Sequence, residues 1–204
     1  MPHIWILSSA IIGYLLGSLP FGYLVARAHG VDIFKVGSGN PGATNVKRVL
    51  GSKAGNTVFA LDALKGAVAA AWPLLPFLAV PDSRGMGLVG VISAVLGHSF
   101  SMFTKFKGGK GVATAAGGLV VLIPLASLIG AVVWVLTFFI SRYVSLGSVL
   151  AAIAVPAASW MSKNPLSLNL VATALGLFVI IRHRANIKRL LNGTETKFVK
   201  KART

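Results

Sequence analysis

Two short glycine-rich segments hold the side chains of this chain that are best suited to binding an anion. The first, residues 37–48, reads GSGNPGATNVKR, and the second, residues 105–111, reads KFKGGKG. Glycines let backbone N–H groups approach an anion closely, and Lys and Arg supply the opposite charge. We therefore interpret both segments as phosphate-binding loops, named the first loop and the second loop.

The first loop combines hydrogen-bonding side chains with one well-placed arginine. Arg48 can hold a phosphate through two parallel hydrogen bonds, and Ser38 can donate another. The other candidates for substrate and phosphate binding in this loop are Gly37, Gly39, Asn40, Gly42, Thr44 and Asn45. The alternative is a flexible helix connection capped by Ser38 or Asn40. The density of polar groups favours phosphate binding.

The second loop resembles a nucleotide-binding phosphate loop only superficially. Lys110 is followed by Gly111, where a Walker A motif requires Ser or Thr, so the sequence gives little support to nucleotide hydrolysis. Lys107 and Lys110 are the candidate phosphate ligands. A helix is predicted to begin at Val112, and its N-terminus adds to the attraction for an anion. The candidate backbone groups are those of Gly108, Gly109 and Gly111.

Ionisable residues also occur inside the apolar segments. Asp62 and Lys65 are three residues apart, so they share one helical face and can neutralise each other in the protein interior. Such a pair is either functional or a structural support for the first loop, and the sequence leaves both interpretations open. His98, at the end of an apolar segment, is a candidate phosphate ligand, although a histidine there is more often a hydrogen-bonded structural residue.

The basic C-terminal segment contains a further pair of candidates. His183 and Asn186 are about one helical turn apart, so both can contact one substrate. Glu195 is the only acid of the tail, among many cations, and we expect it to have a structural role.

Composition restricts the class of protein. The 204 residues are 55% hydrophobic, with a mean hydropathy of +0.79, which is too apolar for a soluble domain of this length. The formal net charge is +16, and the apolar runs favour a basic membrane protein facing anionic lipid over a nucleic-acid partner. Cysteine is absent, which excludes disulfides. The first apolar run lacks a charged leader and a cleavage site, so we interpret it as a retained helix.

The apolar runs predict an all-α integral membrane protein. A bilayer requires about 20 apolar residues per helix. Such runs occur at residues 4–25, 54–80, 85–103, 112–140, 144–161 and 165–181. The run 112–140 is long for one helix and short for two. Two helices there give seven transmembrane helices, with the N-terminus outside and the C-terminus cytoplasmic, and this count places nearly all cations inside.

This topology places the polar segments on one face of the membrane. Both loops, residues 142–148 and the basic tail would be cytoplasmic, including Lys200, Lys201 and Arg203. Because no internal repeat is visible, we expect one transmembrane domain, residues 1–204. A transporter that uses the intramembrane ion pair is the main alternative, but transporters usually place polar residues near the midplane and often contain repeats. A lipid-binding scaffold leaves the glycine-rich loops unexplained.

Several catalytic motifs are absent from the sequence. No His is followed four residues later by Asp, and no Gly-x-Ser-x-Gly nucleophile elbow occurs. The four histidines are scattered, so we expect no metal site and no cofactor.

Five segments, in order along nearly the whole chain, form a more specific pattern. They are GSGNPGATNVKR at 37–48, LDALKG at 61–66, GHSFSMFTKFKGGKGVAT at 97–114, RYVSLGS at 142–148 and RHRANIKRLLNGTE at 182–195. Together they resemble the bacterial acyl-phosphate:glycerol-3-phosphate acyltransferases. One departure is Ser101, where proline is expected after the GHxF element.

The resemblance implies a seven-helix enzyme of the bacterial inner membrane, with its active site facing the cytoplasm. It implies transfer of a fatty acyl group from acyl phosphate to the 1-hydroxyl of sn-glycerol 3-phosphate, which gives lysophosphatidic acid and inorganic phosphate. The expected partners are these two substrates, membrane lipid and an upstream enzyme that makes acyl phosphate. Neither coenzyme A nor acyl carrier protein is the expected direct donor.

The resemblance also implies roles for individual residues. Those expected to be catalytic are Ser38, Arg48, Lys107, Lys110, Ser145, His183 and Asn186. Each loop binds one phosphate, and which loop takes which phosphate stays open. The proton of the attacking hydroxyl goes either to His183 or to a substrate phosphate oxygen. We favour the phosphate, because Arg182 and Arg184 disfavour a protonated His183.

Overall fold

The computed structural model describes residues 2–198, and all regular structure in this range is helical. The α-helices are α1 (Pro2–Ser18), α2 (Phe21–Ala28), α3 (Ala43–Leu50), α4 (Ser52–Ala71), α5 (Ser83–Ser99), α6 (Val112–Leu122), α7 (Pro124–Ser141), α8 (Val144–Met161), α9 (Leu166–Arg182) and α10 (Arg184–Leu191). Short 3-10 turns occupy Trp72–Leu74, Pro76–Leu78 and Met102–Thr104. The all-α prediction is confirmed. The predicted cytoplasmic cations Lys200, Lys201 and Arg203 lie outside the described residues.

The apolar run 112–140 forms two helices, as the sequence predicts. The break falls at Ile123, and Pro124 opens α7. Proline suits the first position of a helix because its missing N–H is not needed there and its φ is already helical. The run 144–161 coincides with α8.

Five helical segments within residues 2–198 are long and apolar enough to cross a bilayer, and the count is six if the bent pair α9–α10 is one span. The bend between α9 and α10 is 59°. Helix α6 has 11 residues and is therefore about 16 Å long, which is shorter than the hydrocarbon core of roughly 30 Å. Length and composition thus support a membrane protein, but within the described residues they give five or six candidate spans and not the predicted seven.

The chain forms two compact units, one up to Leu122 and the other from Ile123. In the first unit, α1 packs along α5, and α4 packs against α6. The contact between α1 and α5 requires small residues, since a Cβ on Gly17 would collide with the backbone of Ala94. In the second unit, α8 packs against both α7 and α9.

A proline ends the first long helix and leaves carbonyl groups to be satisfied. Helix α1 stops at Ser18, and Pro20 precedes α2. The end of a helix leaves C=O groups without an intrahelical partner, which is costly where water is absent. Here Ser101 Oγ donates to the Ser18 carbonyl at 2.6 Å, and Lys65 Nζ donates to the Leu19 carbonyl at 2.9 Å.

Part of the predicted first loop is helical. Residues 43–50 form α3, so Thr44, Asn45 and Arg48 lie on a helix and not on irregular backbone. The reason is burial: Val46 is fully buried in a cluster that also contains Ile33 and Val58. The loop proper is residues 37–42, with left-handed backbone at Gly37 and Gly39.

Candidate active site

A small pocket in the first unit brings several predicted residues together. The predicted site residues on its wall are Asp62, Lys65, His98, Lys107, Gly108 and Gly109. The first loop reaches this wall only through Pro41. Three basic side chains against one carboxylate give the wall a cationic character, which suits an anion.

A buried ion cluster forms the inner wall of this pocket. Asp62 Oδ1 lies 2.8 Å from Lys65 Nζ and 3.5 Å from His98 Nδ1. The side chains of Asp62 and Lys65 are only 4% and 3% exposed. The predicted ion pair is therefore confirmed. Its burial is tolerated because each charge has a close partner, and Lys65 also lies 5.5 Å from the centre of the Phe21 ring.

The second loop folds tightly against the end of α5. The Gly109 N–H donates to the His98 carbonyl at 3.1 Å, and Thr104 Oγ1 donates to the Lys107 carbonyl at 2.6 Å. A Cβ on Gly108 would collide with the backbone of His98 and Ser99, so this close approach requires glycine. Lys107 is exposed at the pocket, Lys110 is half-buried, and Gly111 has left-handed backbone immediately before α6.

Asn45 holds the first loop in shape. Its Oδ1 accepts from the Ser38 N–H at 2.9 Å, and its Nδ2 donates to the Val36 carbonyl at 3.1 Å. Asn40 similarly accepts from the Gly42 N–H at 2.9 Å. These amides are thus engaged with the backbone of their own loop. The side chains of Ser38 and Arg48 are exposed, and Thr44 is half-buried.

Glu195 joins three side chains in the second unit. Its Oε1 accepts from Ser145 Oγ at 2.9 Å and from Asn186 Nδ2 at 2.8 Å, and its Oε2 accepts from Arg189 Nε at 2.7 Å. We name these four residues the Glu195 hub. The Phe198 N–H also donates to the Arg142 carbonyl, which returns the tail to the start of α8. The predicted site residues Ser145 and Asn186 are therefore held by one carboxylate.

The Glu195 carboxylate is stabilised in its charged form. Burial alone raises its pKa, but hydrogen bonds from Asn186, Arg189 and Ser145, together with the charge of Arg189, outweigh burial and lower the pKa below its usual value. The hub is therefore built around an anion.

His183 lies at the bend between α9 and α10 and is buried. Its Nδ1 donates to the Val179 carbonyl at 2.7 Å, which in the neutral ring makes Nε2 the nitrogen with a lone pair. Asn186 follows in the first turn of α10, three residues later. Both residues are thus placed by the same bend.

Sequence reasoning missed the contacts that connect distant segments. The hub depends on Arg189, and the pocket depends on the pairing of Lys65 with the Leu19 carbonyl, 46 residues away. A signal was available in Pro20, because a proline after an apolar run ends the helix and leaves carbonyls to be satisfied.

The helical fold, the apolar helices and the cation-lined pocket define a membrane protein suited to a phosphorylated ligand. A family model described as Glycerol-3-phosphate acyltransferase matches residues 7–193. A glycerol-3-phosphate acyltransferase of Bacillus subtilis is 47% identical over 188 residues, which cover 92% of this chain and 94% of that protein.

Two solved structures of PlsY (YgiH), an integral membrane glycerol 3-phosphate acyltransferase, are also similar. The glycerol 3-phosphate form is 42% identical, with a TM-score of 0.88 over 95% of this chain and 96% of that one. The lysophosphatidic acid form is 41% identical, with a TM-score of 0.86 over 95% of each chain. This chain belongs to the glycerol-3-phosphate acyltransferase family. It is an acyltransferase of lipid biosynthesis and an integral membrane protein.

Proposed function

We propose that this enzyme transfers a fatty acyl group from acyl phosphate to the 1-hydroxyl of sn-glycerol 3-phosphate. The products are lysophosphatidic acid and inorganic phosphate. The observation that carries the proposal is the pocket where Lys107 and the Gly108–Gly109 backbone face the buried pair Asp62–Lys65, because a phosphorylated substrate needs cations and close backbone N–H groups.

The predicted site residues take the following roles in this proposal. Ser38, Arg48 and the amides of the first loop bind one phosphate. Lys107, Lys110 and the backbone of residues 108–111 bind the other and stabilise the charge that develops in the transition state. Asn40 and Asn45 contribute by fixing the first loop, through their bonds to its backbone.

In the second unit, Ser145, His183 and Asn186 orient glycerol 3-phosphate. In this proposal Glu195 has a structural role, and its hydrogen bonds to Ser145 and Asn186 support that role. The remaining first-loop residues, Gly37, Gly39, Gly42 and Thr44, contribute backbone and hydroxyl groups to phosphate binding.

The reaction is direct acyl transfer without a covalent acyl-enzyme. The glycerol hydroxyl oxygen attacks the carbonyl carbon, and the bond between that carbon and the phosphate oxygen breaks. The hydroxyl proton passes to a substrate phosphate oxygen, and the departing group leaves as inorganic phosphate. The donor already carries a good leaving group, so no activated nucleophile is required.

The donor is tested with purified enzyme, glycerol 3-phosphate and palmitoyl phosphate. We expect equal amounts of lysophosphatidic acid and inorganic phosphate. Parallel reactions with palmitoyl-CoA serve as the control and should give no product. Activity with the thioester alone would contradict the donor assignment. With acyl phosphate as the donor, an upstream enzyme that makes it must operate in the same cell.

We also propose that residues 1–204 act as one acyltransferase domain of seven transmembrane helices in the bacterial inner membrane. The N-terminus is outside, and the C-terminus and active site face the cytoplasm. The cation distribution supports this topology, since the basic tail and both loops then lie on the cytoplasmic side. A reporter fused to the C-terminus should be cytoplasmic, and a periplasmic reporter would exclude this topology.

A further inference from the structure

Asp62 contacts two basic side chains through one carboxylate oxygen. The first is Lys65, whose Nζ lies 2.8 Å from Asp62 Oδ1. Lys65 is itself satisfied further by the Leu19 carbonyl at 2.9 Å. The second contact of Asp62 brings His98 Nδ1 to the same carboxylate oxygen, at 3.5 Å.

The imidazole of His98 has its two nitrogens on different structural elements. Nδ1 lies 3.5 Å from Asp62 Oδ1 on α4. Nε2 lies on the side of the second loop, where a Cβ on Gly109 would collide with it. His98 and Gly109 both line the pocket, as does Lys107. The ring thus connects the buried carboxylate with the phosphate-binding segment.

We propose that Asp62 is a positioning residue, which orients His98 so that Nε2–H donates a hydrogen bond to the phosphate held by residues 107–109. This inference rests on the proposed function and deepens it. A carboxylate at Nδ1 fixes the ring orientation, and an imidazole that carries a proton on each nitrogen can donate from Nδ1 to Asp62 and from Nε2 to the phosphate. The Nδ1 contact is long, and such contacts commonly tighten when the substrate binds.

A purely structural role for His98 is the competing explanation, and the two ring nitrogens separate the alternatives. Asparagine places an amide nitrogen near the position of Nδ1, so His98→Asn keeps a donor to Asp62 but loses the donor at Nε2. Glutamine reaches the position of Nε2, so His98→Gln keeps the donor to the phosphate and loses the one to Asp62.

We expect His98→Asn to lower kcat/KM about 100-fold and His98→Gln to lower it about 10-fold, which is the range for a hydrogen bond to a charged group. Both variants are measured with each substrate varied in turn, after thermal unfolding in detergent has shown that they are folded. The substrate whose KM rises identifies which phosphate the second loop holds. An active His98→Asn together with a damaged His98→Gln would overturn the inference in favour of a structural histidine.

The role of Asp62 is tested without leaving a charge unpaired. The double variant Asp62→Asn/Lys65→Met removes both charges of the buried pair, since single removal would leave an uncompensated ion. We expect a loss of tenfold or more in kcat/KM in the wild-type background. In the His98→Gln background the same change should cost less than about threefold, because residues that act through one another are not additive.

Fully additive losses, or a double variant as active as wild type, would overturn the positioning role. If the double variant unfolds, the relative kcat/KM of His98→Asn and His98→Gln still tests the inference, because neither variant changes Asp62. The wild-type assay separates the inference from the proposed function. An active wild type with a fully active His98→Asn refutes only the inference, whereas an inactive wild type removes both.

Discussion

Glu195 provides a direct test of how the second unit holds its polar residues. Replacement by Ala removes the acceptor of both Ser145 and Asn186, which are only 6% and 8% exposed. A buried donor that loses its partner costs about 1–3 kcal/mol, so Glu195→Ala should lower the free energy of unfolding by roughly that amount through Ser145, and Asn186 loses one of its contacts as well. Arg189 adds little to this cost, because its side chain is 43% exposed and water can replace the carboxylate.

Glu195→Gln is the matched control. Its amide oxygen can still accept from Ser145 and Asn186, and only the charged contact to Arg189 is lost. We expect a cost of about 1 kcal/mol or less, since that contact is half-exposed. Thermal unfolding in detergent measures both variants, and the acyl-phosphate assay measures the accompanying loss of kcat/KM. If both variants were equally destabilised, the negative charge and not the shared Oε1 acceptor would hold the hub together.

The same carboxylate makes stability depend on pH in a defined direction. Although burial raises the Glu195 pKa, the hydrogen bonds from Asn186, Arg189 and Ser145 lower it overall in the folded state. The stabilisation is therefore fully present above the unfolded pKa of about 4.3 and is lost as pH falls through the lower folded pKa. The difference in stability between wild type and Glu195→Gln should shrink as pH is lowered below about 4. A constant difference would contradict the sign of this shift.

Three further predictions concern single residues. Arg48→Ala should lower kcat/KM by about 10- to 100-fold in a folded enzyme. Arg48→Lys should recover only part of the lost kcat/KM, because the lysine ammonium cannot make two parallel hydrogen bonds to a phosphate. Wild-type activity of Arg48→Ala would make Arg48 an ordinary surface cation. His183→Asn should keep much of kcat with a raised KM for glycerol 3-phosphate, because an amide can replace the Nδ1 donor to Val179. His183→Ala should lose more activity than His183→Asn. A low kcat with unchanged KM in His183→Asn would favour His183 as the base. Ser101→Ala should destabilise the enzyme by about 1–3 kcal/mol in thermal unfolding, since the buried Ser18 carbonyl loses its donor. An unchanged stability would mean that another group donates to the Ser18 carbonyl.

The sequence predicts the long helices well because their signal is local. The run 144–161 coincides with α8, and the proline in the run 112–140 places the break at Ile123. The short helix α3 is missed, because its eight residues follow a glycine-rich segment and its helical state depends on burying Val46 against Ile33 and Val58. A signal was present in the spacing of Ala43, Val46 and Leu50, which places apolar residues on one helical face that packs on this cluster.

For the candidate site, the sequence predicts which residue types can bind a ligand, but it does not predict which contacts those residues make within the protein. Residue types at the second loop predict an anion-binding segment, and its residues do line a cationic pocket. The role of Asn45 as a clamp on Val36 and Ser38 is not visible in the sequence, since an amide in a glycine-rich loop serves a ligand and a backbone equally well. The same holds for Glu195, whose partner Ser145 is 50 residues away.

The pocket of the first unit lies where helices end, and this position has a physical reason. A continuous helix in a bilayer satisfies its own backbone and offers no polar groups to a ligand. Helix α1 stops before Pro20, and α5 stops at Ser99, and each end frees the carbonyl groups of its last turn. Lys65 and Ser101 satisfy the carbonyls of α1, while the second loop pairs with the end of α5. The groups that compensate the broken helices are thus the groups that line the pocket. Polar binding surface and helix termination are therefore one feature of this fold, and a change that restored a continuous helix through Pro20 should remove the pocket together with the break.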